Sequence, residues 1–145
     1  MPLSPDLADA LDARYPQPDP DTRDAYLDAL REIGLPGDCD LAEACMASIV
    51  PSFEREGQPE VYNVLWWTMN GSYPDLLSVA RNYWGATPSQ FPLTGFEGEY
   101  VYLYDAASES VYDIELGPSL DAFKEGRLAP RWSSFEAFLR EHLGL

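Results

Sequence analysis

The residues able to do chemistry in this chain are mostly carboxylates. Asp and Glu number 25 against nine Lys and Arg, for a formal net charge of −16 across 145 residues. Glu97 with Glu99, and Asp113 with Glu115, are spaced i, i+2, which on one face of a strand sets two carboxyls ~7 Å apart. That separation fits a glycosidase-type acid and base. With so many acids, though, several such pairs arise by composition alone. His142, the one histidine, falls in a last helical turn, where a cation opposes the helix dipole. It reads as a capping or surface side chain. Cys39 and Cys45 are six apart, without CxxC or zinc-ligand spacing, and read as small buried thiols. No nucleophile elbow, phosphate-binding loop or dinucleotide fingerprint occurs. The residues imply no cofactor and no metal.

The charge balance also bounds the partners. A −16 chain lacks the basic footprint that phosphates require, which argues against nucleic acid. It argues equally against anionic lipid. Its acids favour solubility and fast capture of a basic partner. They could also imitate a nucleic-acid backbone in the basic cleft of a nuclease. With no apolar leader and no run of ~18 apolar residues, the expected compartment is the cytoplasm.

The elements that must position these side chains follow from capping and periodicity. Ser4-Pro5-Asp6 opens a helix carrying Leu7 and Leu11. Asp21 is expected to cap a second, from about Thr22 to Ile33, with Gly34 as terminator. Asp40-x-x-Glu43 resembles a capping box for a third, through Met46 to about Val50. Residues 60–68, EVYNVLWWT, fit strand and helix equally. Met69 to Ser72 reads as a turn, and residues 74–85 as a fourth helix. From residue 86 the pattern becomes β. SLDAFKEG (119–126) is a short helix or turn. A closing helix follows Ser133 or Ser134, with Phe135, Phe138, Leu139 and Leu143 on one stripe. A helical part over about 1–85, then a hairpin-rich part and closing helix over about 86–145, predict one α+β domain.

The hairpin at 99–116 carries the most specific inference. If Asp105 pairs with Ser110, Leu103 faces Tyr112 and Val101 faces Ile114, which gives one apolar side. The other side holds Tyr100, Tyr102, Tyr104, Val111, Asp113 and Glu115. A one-residue slip would mix the two sets. Two readings of the tyrosine–acid side are open. The C-terminal helix covers it, or it is a binding face with Glu97, Glu99 and Glu109 at the rim, since tyrosines give contact area and acids select a basic partner. Trp66 and Trp67 are likewise either core or the contact of a homodimer.

Four stretches, YPDLLSVARN (73–82), FEGEYVYLYD (96–105), SVYDIEL (110–116) and RWSSFEAFLREHL (131–143), together resemble the SMI1/KNR4 superfamily, also called SUKH. The matching positions are Asp75 to Ala80, Val111-Tyr112 and Trp132 to Leu139. Leu35-Pro36-Gly37-Asp38 and Asn70-Gly71 depart from the family's N-terminal pattern. The resemblance implies a curved antiparallel sheet flanked by helices. It also implies a bacterial immunity protein that neutralises a cognate toxin by binding, with no catalysis. The expected site is therefore the tyrosine–acid face, occluding a basic cleft. A carboxylate-dependent hydrolase and a housekeeping interaction module are the alternatives.

Overall fold

A computed structural model describes residues 2–145 as seven helices and two small antiparallel sheets, a compact α+β domain. Helices α1 (Pro5–Arg14) and α2 (Pro20–Ile33) each begin with proline at the first helical position. Proline there has no donor to lose and its φ is already helical. In α2 this moves the start back: the cap is Asp19, whose Oδ1 accepts from Thr22 N, rather than Asp21. Gly34 closes the helix in the left-handed region, at φ 75°. Helix α3 (Asp40–Met46) is shorter than its periodicity predicts.

The ambiguous stretch at 60–68 is both things in turn. Val61–Tyr62 form β2, paired with β1 (Ser52–Phe53), and α4 (Val64–Asn70) follows at once. Asn63 makes the switch. Its Oδ1 accepts from Leu65 N and Trp66 N, while its Nδ2 donates to Cys45 O and Ser48 O. A buried amide with all these bonds is satisfied and fixes where the strand stops. Helix α4 runs on through Met69 and Asn70, so the expected turn there is reduced to Gly71 and Ser72. Helix α5 (Tyr73–Tyr83) follows.

The main sheet has the order β3-β4-β5. Strands β4 (Tyr100–Asp105) and β5 (Ser110–Glu115) pair in the register inferred from sequence, Asp105 with Ser110 and Val101 with Ile114. Strand β3 (Gln90–Pro92) adds a third member along β4. The two sheets meet edge to edge: Leu93 N donates to Tyr102 O, and Tyr62 N donates to Leu93 O. In place of one continuous curved sheet, the molecule has two short ones joined through a single residue.

Both faces of the main sheet are covered, over part of their length. Val101, Leu103 and Ile114 pack with Ala80 of α5, with Trp84 just past its end, and with Phe123 of α6 (Pro118–Lys124). Burying those three strand residues stabilises the fold by roughly 1.5–3 kcal/mol each. On the opposite face α7 (Phe135–Leu143) lays Phe135, Phe138 and Leu139 over Tyr104 and Val111. Ser134 caps α7 by accepting from Ala137 N. Cys39 and Cys45 are free and buried, as their spacing implies. Among the described residues no helix is long and apolar enough to cross a membrane.

Candidate partner-binding surface

The tyrosine–acid side of the hairpin is divided by α7. Tyr104 is fully buried, its hydroxyl donating to Asp40 Oδ1 at 2.7 Å and its ring edge-on to Phe135. Tyr104 is thus a core residue that offers no contact surface, and the covering helix claims this half of the face. Tyr102 is half-buried, its ring held edge-on against Trp132 and Phe138. Tyr100 lies beyond the helix and is 37% exposed. Its ring stands 5.5 Å from that of Tyr102, so the two form a ridge at the open end of the hairpin.

The predicted acids separate in the same way. Asp113 is held by Arg131, which donates to its Oδ2 at 2.6 Å and also stacks over Trp132. Glu109 sits in the hairpin turn at φ 56° and accepts from Asp40 N, so it belongs to the far end of the sheet. Glu97, Glu99 and Glu115 are exposed near Tyr100. The set expected as one face is two groups at opposite ends of the strands.

Beside Tyr100 a recess of about 160 Å³ opens between the 54–60 loop and the 94–99 loop, lined by Glu60, Tyr62, Gly95, Glu97, Gly98 and Tyr100 among others. Gly95 shows how its polar atoms converge. A Cβ placed on that glycine would lie 2.9 Å from Glu97 Oε2 and 3.0 Å from Tyr62 Oη. The carboxylate and the phenol therefore pack directly over the Gly95 Cα, in the space a side chain there would take. Glu60 accepts from Ser52 Oγ at 2.6 Å, and neither Glu60 nor Glu97 has a cation within ion-pair distance among the described residues. Burial raises the Tyr62 phenol above its usual value, and the charges of Glu60 and Glu97 push it the same way. Glu60 and Tyr62 were missed from sequence because 60–68 could not be assigned. Read as a strand, the stretch puts both on one parity, which was the available signal.

Across the Tyr100–Tyr102 ridge lies a second recess of about 270 Å³, lined by Arg55, Tyr102, Arg131, Trp132, Glu141 and His142 among others. Its charged side chains, two arginines and one glutamate, are engaged with the fold. Glu141 accepts from the Trp132 indole, Arg131 pairs with Asp113, and Arg55 reaches the Glu141 carbonyl near the end of α7. His142 corrects the sequence reading of a surface side chain. It is 5% exposed, stacks on Phe138, and its Nε2 donates to Phe53 O at 2.8 Å. Burial holds its pKa below the ordinary 6.5, so the ring is neutral at pH 7 and serves packing.

A third group of carboxyls surrounds the start of α7. Asp40 is 3% exposed and accepts from Tyr104 Oη, Leu41 N and Glu136 N. Glu136 accepts from Ser4 N, Ser4 Oγ and Arg140. Burial raises the Asp40 pKa from its ordinary 3.8, whereas bonds from Ser4 and Arg140 outweigh burial and lower that of Glu136. Two carboxyls with displaced pKa values are what an acid–base pair needs. Here each carboxyl has its acceptor sites taken by the fold, Asp40 tying α3 and β4 to the N-terminus of α7.

Among the described residues no cluster of His, Cys, Asp and Glu is arranged to hold a metal ion. Trp66 and Trp67 are half-buried and pack edge-on against one another beside Tyr62. In comparisons with known proteins, the chain matches no family model, no curated protein and no solved structure.

Proposed function

We propose that this chain is a non-catalytic immunity-type protein of the SMI1/KNR4 kind, acting in the cytoplasm without a cofactor. It binds a cognate bacterial toxin that presents a basic surface or cleft, and so occludes it. One observation carries the reading: at the open end of the hairpin, exposed acids without cations stand beside a tyrosine ridge, on a chain of net charge −16. A binding surface needs that combination of rigid aromatic area and long-range attraction.

The surface is smaller than the strand pattern implies, because α7 removes Tyr104 and Arg131 neutralises Asp113. The acids available to a partner are Glu60, Glu97, Glu99 and Glu115. The experiment is to read the reading frames beside the gene for a toxin domain and to co-express such a frame with this chain, followed by purification. Protection of growth and a stoichiometric complex are the expected results. Changing Glu97 and Glu99 to Lys should slow association by roughly 10-fold at low salt and much less at high salt. No protection and no complex at micromolar concentrations would end the reading.

A further inference from the structure

We infer that residues 3–15 form a latch, which docks and melts as one unit while the rest of the domain stays folded. Helix α1 does not cap itself. Ser4 stands at its N-cap position, yet the hydroxyl makes no cap bond. It donates instead to Glu136 Oε2 at 2.6 Å and accepts from Arg140 Nη2 at 2.7 Å. Just ahead of the helix, Ser4 N donates to Glu136 Oε1 and Leu3 N to Glu43 Oε2. Arg140 closes the clasp by pairing with Asp6 at 2.9 Å. The start of α1 is thus held by side chains of α3 and α7 rather than by its own. A helix of 10 residues is marginal alone in water, so α1 loses its structure once it leaves this seat. Its hold on the core is narrow: Leu7 and Leu11 are its two buried residues, against five on α7. Past its end, Tyr15 sets its ring edge-on to Phe53, and Pro16 O accepts from Ile49 N. Pro16, Pro18 and Pro20 then alternate along the connection to α2. None of them can donate a backbone hydrogen bond, so no ladder carries cooperativity from α1 into α2. Opening the latch frees Leu3, Leu7, Leu11 and Tyr15 and leaves the strands and the other helices in place. The domain then has a second state, with an apolar seat open beside α3, α7 and β1.

Native-state amide exchange of the full chain, followed by NMR in water and in low urea, is the test. The amides of Ala8 to Tyr15 should share one protection factor, at least about tenfold below those of α4 and β4. Their urea slope should also be smaller, because opening the latch exposes less surface than unfolding. Two substitutions separate the latch from global unfolding. Ile114→Val weakens the main sheet, which stays folded when the latch opens. Exchange in β4 should therefore speed by about fivefold while that of α1 stays the same. Glu136→Gln weakens the clasp, which is lost both in the open state and in the unfolded chain, so α1 and β4 should each speed by about fivefold. Glu125→Gln removes an equal charge from the exposed pair with Arg127 and should leave α1 exchange unchanged. If Ile114→Val speeds α1 as much as β4, the helix melts only with the whole domain and there is no latch. Rates graded inward from the ends of α1 would show fraying, and α1 rates indifferent to Glu136→Gln would show that the clasp does not hold it; either result overturns the inference.

Discussion

Two groups of carboxylates in this molecule have the same side-chain chemistry and opposite circumstances. Around the start of α7, Asp40 and Glu136 receive donors from Tyr104, Leu41, Ser4, Arg140 and a helix N-terminus. At the open end of the hairpin, Glu60 and Glu97 face solvent and meet no cation among the described residues. A buried carboxylate without partners would cost several kcal/mol, so burial and satisfaction occur together. An exposed one costs little and leaves its field available to another molecule. The difference teaches which acids belong to folding and which to recognition, a distinction that charge counting cannot make.

The widest separation between the groups should appear on removing the buried acid. Asp40→Ala orphans the Tyr104 hydroxyl and the Glu136 amide of α7, and should lower unfolding free energy by about 2–4 kcal/mol in a urea titration. A loss under 1 kcal/mol would mean that Asp40 is not the joint between α3, β4 and α7. Tyrosine sharpens the same comparison one step down. Tyr104→Phe leaves Asp40 short of a donor and should cost about 1–2 kcal/mol, against no more than ~0.5 kcal/mol for Tyr100→Phe at the exposed end.

Titration gives a smaller effect with a definite sign. The folded pKa of His142 lies below its ordinary 6.5, because burial disfavours the imidazolium and the Phe53 carbonyl only partly offsets that. The unfolded chain therefore binds the proton more readily. Its contribution to stability is complete above about pH 6.5 and declines as pH falls from there through the folded value. Asp40 acts oppositely: its pKa is raised from 3.8, so the stability it withholds near neutrality returns as pH approaches that value. Urea midpoints measured from about pH 7.5 to about pH 5 should fall, and should fall less in His142→Gln. An unchanged slope in that variant would remove His142 as the cause.

The hairpin register was legible because its alternation tolerates no slip, and Asp105 does pair with Ser110. Helix starts were legible to within a residue or two wherever proline or serine marks them. What strand parity could not show is how far along the strands a covering helix extends. The same parity holds Tyr104, fully buried, and Tyr100, exposed, because α7 stops between them. Asp40 misled in a similar way. As a capping-box residue it should serve its own helix, yet its Oδ2 takes an amide of α7, which lies 96 residues away in the chain. Glu60 and Tyr62 were hidden because Asn63 ends a two-residue strand that is too short to leave a periodic trace.

The smallest expected change in stability is also the one that defines the comparison. Glu97→Gln and Glu60→Gln should each leave unfolding free energy within about 0.5 kcal/mol of wild type, since among the described residues no hydrogen bond or ion pair ends on Glu97 and Glu60 is tied to one serine. Removing like charge from a −16 chain could even stabilise it slightly. Partner association should nonetheless slow in both, and the slowing should disappear as salt rises, because exposed charges act through a screened field. A residue that is silent in folding and audible in binding is what the open group requires. If either substitution instead destabilises by more than 1 kcal/mol, its carboxylate has an internal role and the two groups are alike.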